Sequence, residues 1–169
     1  MSLSHVRTGL IVMVATGLLQ GATADAQEAK DRPADTAPAH VVVTPMEIEW
    51  TNGPASLPAG AQAAVIEGDP KQPSLFTMRL KLPANYKIPP HWHPADEHVT
   101  VMSGTFNMGM GDQFDQTKGK ALPTGSFAVM PATVHHFAWT SEETILQLHG
   151  MGPWAINYLN PADDPRNAS

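Results

Sequence analysis

The segment Ile88–Gly104 (IPPHWHPADEHVTVMSG) admits few folds. His91 and His93 share a face only if the backbone is extended, because side chains alternate along a strand with a period of two. Pro94 interrupts that run, and Glu97 then shares the parity of Val99, Val101 and Ser103. The spacing predicts two strands joined at Pro94–Asp96, a turn at Gly104, and a carboxylate aimed at the same interior as the valines.

The rest of the chain carries strand signals and almost no helix signals. Ser74–Leu82 alternates cleanly, with Phe76, Met78, Leu80 and Leu82 on one face and Leu75, Thr77, Arg79 and Lys81 largely on the other. His40–Val43, Met46–Trp50, Ala61–Glu67, Gly125–Met130, Val134–Trp139, Thr144–His149 and Trp154–Leu159 are further candidate strands, and Phe106, Met108 and Met110 extend the pattern past Gly104. Gly111–Pro123 is polar and reads as a loop with one helical turn. Sixteen prolines and thirteen glycines in 169 residues punctuate these runs. Many short strands at regular spacing predict an all-β sandwich or barrel.

Residues 1–26 read as a signal peptide: Arg7 precedes the eleven apolar residues Gly9–Leu19, and Ala22–Ala24 or Ala24–Ala26 fits a small-residue cleavage site. That run is shorter than the roughly 18–20 residues that span a bilayer. Cleavage after Ala26 gives a mature start at Gln27 and a periplasmic or secreted protein. Residues 27–39 read as a flexible linker, 40–160 as the folded domain and 161–169 as a loosely ordered tail. The chain has no cysteine, so any metal is held by nitrogen and oxygen, with thioether as a remote option. A net charge of −6 without Lys/Arg clusters excludes a nucleic-acid surface and, once the signal is removed, membrane association.

A His pair on a strand is ordinarily polar surface. Glu97 changes that weighing, because a carboxylate buried among valines is costly unless compensated, and a metal ion would compensate it while using both imidazoles. A second segment, Gly125–His136 (GSFAVMPATVHH), brackets a strand with Gly125 and Pro131 and ends on adjacent histidines. Only one of His135 and His136 can face inward, and spacing does not choose between them.

These two segments resemble the paired motifs of the cupin superfamily. The first ends H-x-H, three or four residues, E, six residues, G, matched by His91, His93, Glu97 and Gly104; its leading glycine falls at Asn85. The second is matched at Gly125, Pro131 and His136, with Thr133 replacing a glycine and Thr140 an asparagine. The resemblance spans Ser74–His149 and is nearest to small, exported, single-cupin bacterial proteins without an assigned reaction. It implies a single cupin jelly-roll β-barrel. It also implies one divalent transition metal ion (Fe, Mn, Ni, Zn or Cu) held by His91, His93, Glu97 and His136. His98, His135, Gln147 and His149 are secondary candidates for groups near the metal or lining its pocket.

The function so implied is a metal-dependent enzyme of dioxygenase, isomerase, lyase or decarboxylase type, acting on a small molecule outside the cytoplasm. The alternative is a non-catalytic metal- or ligand-binding sensor. A deep pocket with an inward polar group would favour the enzyme, and a plugged one the binding module. A homodimer is compatible with the resemblance, residues 41–50 serving as edge or swap elements.

Overall fold

Ser74–Leu82 behaves as its pattern requires: Phe76, Met78, Leu80 and Leu82 are all buried, while Leu75 is 53% exposed. It is β3 (Leu75–Leu82) in a computed structural model that describes residues 40–168. The expected signal peptide and linker lie outside the described residues. The other strands are β1 (Thr51–Asn52), β2 (Gln62–Glu67), β4 (Lys87–Trp92), β5 (Glu97–Ser103), β6 (Thr105–Met110), β7 (Lys120–Pro123), β8 (Phe127–Met130), β9 (His136–Thr140), β10 (Thr144–Met151) and β11 (Asn157–Tyr158). Among the described residues no helix is long and apolar enough to cross a membrane.

All pairings are antiparallel. One sheet runs β1-β2-β3-β10-β5-β8 and the other β11-β4-β9-β6-β7. The core packs Met78, Leu80, Val99, Val101, Leu146 and Leu148 of the first sheet with Ile88, Phe106, Leu122 and Ala138 of the second, joined by Ile156. This is the all-β cupin jelly roll. Its hydrogen bonding forms two separate sheets, with no closed barrel among the described residues.

Two early expectations are corrected. His40–Val43 and Met46–Trp50 are not strands: Val41–Val43 are exposed and Pro45–Glu47 is a 3-10 turn. Pro45 presets the first helical φ, and Glu47 folds back to accept from the Thr44 amide (2.7 Å) and hydroxyl (2.8 Å), a capping box that overrides β-propensity. The segment Gly111–Pro123 contains its helical turn, Gln116–Lys118, but also β7, whose Leu122 is buried. Residues 161–168 form two 3-10 turns, and the Arg166 guanidinium donates to the Ile156 carbonyl (3.1 Å).

Local chemistry positions the ends of the motif strands. Pro89 and Pro90 cannot donate to the ladder, and the β4–β9 register shifts between Ile88 and His91. Gly104 turns at φ 75°, and an added Cβ would lie 2.5 Å from the Glu143 carbonyl oxygen. Where cupins have glycine, Asn85 and Thr133 keep positive φ (60° and 64°). Thr133 holds this conformation, sterically unfavourable for a β-branched residue, by donating its amide to the His93 carbonyl (2.9 Å). Thr140, in the asparagine position, donates its hydroxyl to the Pro83 carbonyl (2.6 Å) and accepts from the Tyr86 amide (3.2 Å), fastening β9 to the chain entering β4.

Candidate metal centre

His91 lies in β4 opposite His136 at the start of β9, and His93 follows one residue beyond the end of β4. Glu97 opens β5 on the facing sheet, opposite Met130. All four side chains are buried, the least so being Glu97 at 7% exposed. One nitrogen from each of His91, His93 and His136 lies within 4.8 Å of the others, so the three could hold a metal ion.

Their hydrogen bonds decide which nitrogens are available. His91 Nδ1 lies 2.7 Å from the Pro89 carbonyl, His93 Nδ1 2.8 Å from that of Ala155, and His136 Nδ1 3.0 Å from that of Val134. A carbonyl only accepts, so each Nδ1 carries the hydrogen, and each neutral ring is left with its lone pair on Nε2. This arrangement, a backbone carbonyl behind each ring, fixes tautomer and orientation in metal sites. Two of the acceptors lie two residues upstream of their histidines, so the sequence local to Pro89 and Val134 supplies them.

Burial keeps His91 and His136 neutral. It is the main cause that holds His91 well below the ordinary imidazole range, helped by neighbouring His136 and His93. Burial likewise pushes His136 down to about 4, partly opposed by its bond to Val134.

The His93 Nε2 is buried without a hydrogen-bond partner. It faces Glu97 Oε2 at 3.4 Å. With Nδ1 already donating, a neutral His93 would set a lone pair against a carboxylate oxygen, an arrangement that calls for positive charge between them. A divalent cation supplies it, so the residues present fit a metal ion. The other Glu97 oxygen accepts from Trp154 Nε1 at 2.6 Å, and the Trp154 ring stacks on His93 (5.8 Å, 24°).

The cavity at this cluster measures about 20 Å³, room for an ion or a water molecule. Apart from these polar groups its wall is aliphatic and aromatic, including Leu57, Phe106 and Ile156. Tyr158 Oη donates to the Ser56 carbonyl (2.7 Å) and Tyr86 Oη to that of Pro58, bracketing Leu57. Burial, the larger cause in each case, raises both phenols above their ordinary pKa.

The secondary candidates do not reach this cavity. Gln147 and His149 alternate with inward Leu146 and Leu148 on β10, so they point out of the six-stranded sheet. Gln147 accepts from Arg79 Nε (3.1 Å), and exposed His149 meets His98 from β5. His135 is on the surface, paired with Asp112 at 2.7 Å. Trp154, which the sequence places only in the candidate strand Trp154–Leu159, is the group that sequence reasoning missed. The general need of a buried indole N–H for a partner was its only signal.

A family model described as "Domain of unknown function (DUF4437)" matches residues 14–157. The chain belongs to that family. No curated protein matches it. Among solved structures it is similar to the polyketide cyclase RemF from Streptomyces resistomycificus, with 14% identity, TM-score 0.60, and 75% of this chain and 90% of that one covered. It is similar to a putative acetylacetone dioxygenase from Methylibium petroleiphilum, with 14% identity, TM-score 0.58, and 77% and 88% covered. An RmlC-like cupin from Shewanella frigidimarina aligns with 14% identity, TM-score 0.51, and 66% and 89% covered. These likenesses carry the fold.

Proposed function

We propose that this DUF4437 cupin is a metal-dependent enzyme of the dioxygenase type, acting outside the cytoplasm on a small, largely apolar molecule that bears oxygen donors. His91, His93 and His136 would hold the ion through Nε2, with Glu97 as fourth ligand. The observation that carries the reading is the buried, partnerless Nε2 of His93 facing Glu97. Bound there, the ion would supply Lewis acidity toward a substrate oxygen and a site for O₂ chemistry.

The residues themselves do the rest. The three carbonyl acceptors hold the imidazoles in one tautomer, and Trp154 fixes the direction of Glu97. The aliphatic wall excludes water and favours apolar reactants such as O₂. Among the described residues, the cavity lining holds no carboxylate or imidazole beyond these four for proton transfer. That favours oxygen chemistry over the isomerase, lyase and decarboxylase alternatives, which call on a separate acid or base. The expected signal peptide supports the location.

A second reading, a metal-binding protein without turnover, is favoured by the same cavity: about 20 Å³ admits an ion but no substrate unless the wall moves. Anaerobic purification with metal analysis, then O₂ uptake against a panel of small oxygenated apolar molecules, separates the two. The enzyme reading expects about one metal per chain, the stoichiometry of a mononuclear site, and uptake lost in His136→Ala. Metal retained with no uptake on any compound supports the second reading. No metal after reconstitution overturns both.

A further inference from the structure

We propose that His98 and His149 form a second, solvent-facing site for a divalent late transition-metal cation, on the outer face of the six-stranded sheet. The two stand directly opposite each other in the β5–β10 pairing. Parity turns both away from the interior that receives Glu97, Val99 and Leu148. Their rings meet edge to face, with centroids 5.0 Å apart at 78°.

The nitrogens that face one another, His98 Nδ1 and His149 Nε2, are 3.3 Å apart. Two imidazole nitrogens bound at about 2.0–2.1 Å to a tetrahedral ion lie roughly 3.3 Å apart, so the pair already has chelating separation. Without metal, one of the two rings must carry the proton between them. A cation takes that proton's place, and both rings then keep their hydrogens on the outer nitrogens.

Neither side chain needs much reordering to bind. Both strands are interior to their sheet, β5 between β10 and β8, and β10 between β3 and β5. A bis-imidazole held on paired strands loses little freedom when a ligand arrives. Beside it is a cleft of about 310 Å³ that both histidines line with Asp96 and Met151. Asp96 commits one oxygen to the Ala132 amide (2.8 Å) and adds negative charge to the cleft. Two nitrogens with water completing the shell suit Cu(II), Ni(II) or Zn(II), with Cu(II) bound most tightly. This site is independent of the inner cluster and of the proposed reaction.

The test is calorimetric titration of the purified chain with Ni(II). In the His136→Ala background, about one equivalent should bind, and adding either His149→Ala or His98→Ala should weaken it at least about tenfold, as expected when a chelate loses one arm. If His136→Ala does not fold, the reconstituted wild-type chain should take about one weaker equivalent beyond its inner metal, lost in His149→Ala. Cu(II) at this second site should give an electron paramagnetic resonance signal split by two nitrogens, absent in His149→Ala. An ordinary hydrogen-bonded histidine pair is the opposing result: no such equivalent, or one that survives both substitutions, overturns the proposal.

Discussion

Glu97 and His98 are neighbours on one strand, yet they serve opposite sides of the sheet. On the inside, Glu97 faces His93, one of three clustered histidines that are each at most 3% exposed. On the outside, His98 meets exposed His149 across the ladder. The inner rings each give their Nδ1 hydrogen to a backbone carbonyl, whereas the outer rings face each other. Residue type alone does not separate the two groups. The difference is that a backbone carbonyl fixes the Nδ1 hydrogen of each buried inner ring, while the outer rings hydrogen-bond to each other.

The contrast breaks most readily at His136. His136→Ala should cut metal affinity well beyond the roughly 10–100-fold that changes around metal ligands cost, while His135→Ala stays within about twofold. Elemental analysis after dialysis and calorimetric titration would check this, and equal losses would show that the inward register is misread.

The next effect is on pH. The folded pKa of His136 is about 4, below the ordinary 6.5. The unfolded chain therefore binds more protons across that window. The stability of the metal-free protein should be full above about pH 6.5 and fall as pH drops toward 4, by roughly 3 kcal/mol from this residue. Urea unfolding of metal-free protein across that range would measure it. A flat profile would mean that His136 is not buried as a neutral ring.

Trp154→Phe keeps the ring but removes the N–H that Glu97 accepts. It should cost about 1–3 kcal/mol of stability for a buried acceptor left unpaired, and roughly 10–100-fold in metal affinity through a loosened carboxylate. His149→Ala, on the exposed face, should change stability by no more than about 0.5 kcal/mol. Parallel unfolding and binding curves for these two variants compare the two sides of the sheet directly.

A gain in stability, rather than a loss, is expected at Thr133. Replacing this positive-φ residue with glycine should add about 1 kcal/mol to stability, since a left-handed conformation costs a residue with a Cβ roughly 1–2 kcal/mol. No gain in thermal unfolding would mean that the Thr133 side chain makes compensating contacts.

Much of the fold is legible in residue order because alternation is local. Ser74–Leu82 reads correctly since each side chain's face follows from its parity, and Gly104 since its turn excludes a Cβ. Val41–Val43 misled because β-branched residues favour strands only when a partner strand and a packed face exist, and here they stay exposed. Trp154 was hidden because its partner, Glu97, is 57 residues away.

The sequence by itself determined the two motif segments, their parity, and the local carbonyls that Pro89 and Val134 set behind His91 and His136. Which of His135 and His136 joins His91 followed from resemblance, and the cross-strand register between β4 and β9 then places His136 there. Tertiary structure alone decided that Ala155 holds His93, that Trp154 holds Glu97, and that His98 meets His149. The reason is physical: alternation and turn chemistry act over a few residues, whereas a hydrogen bond between distant segments exists only once two sheets have packed and chosen their register.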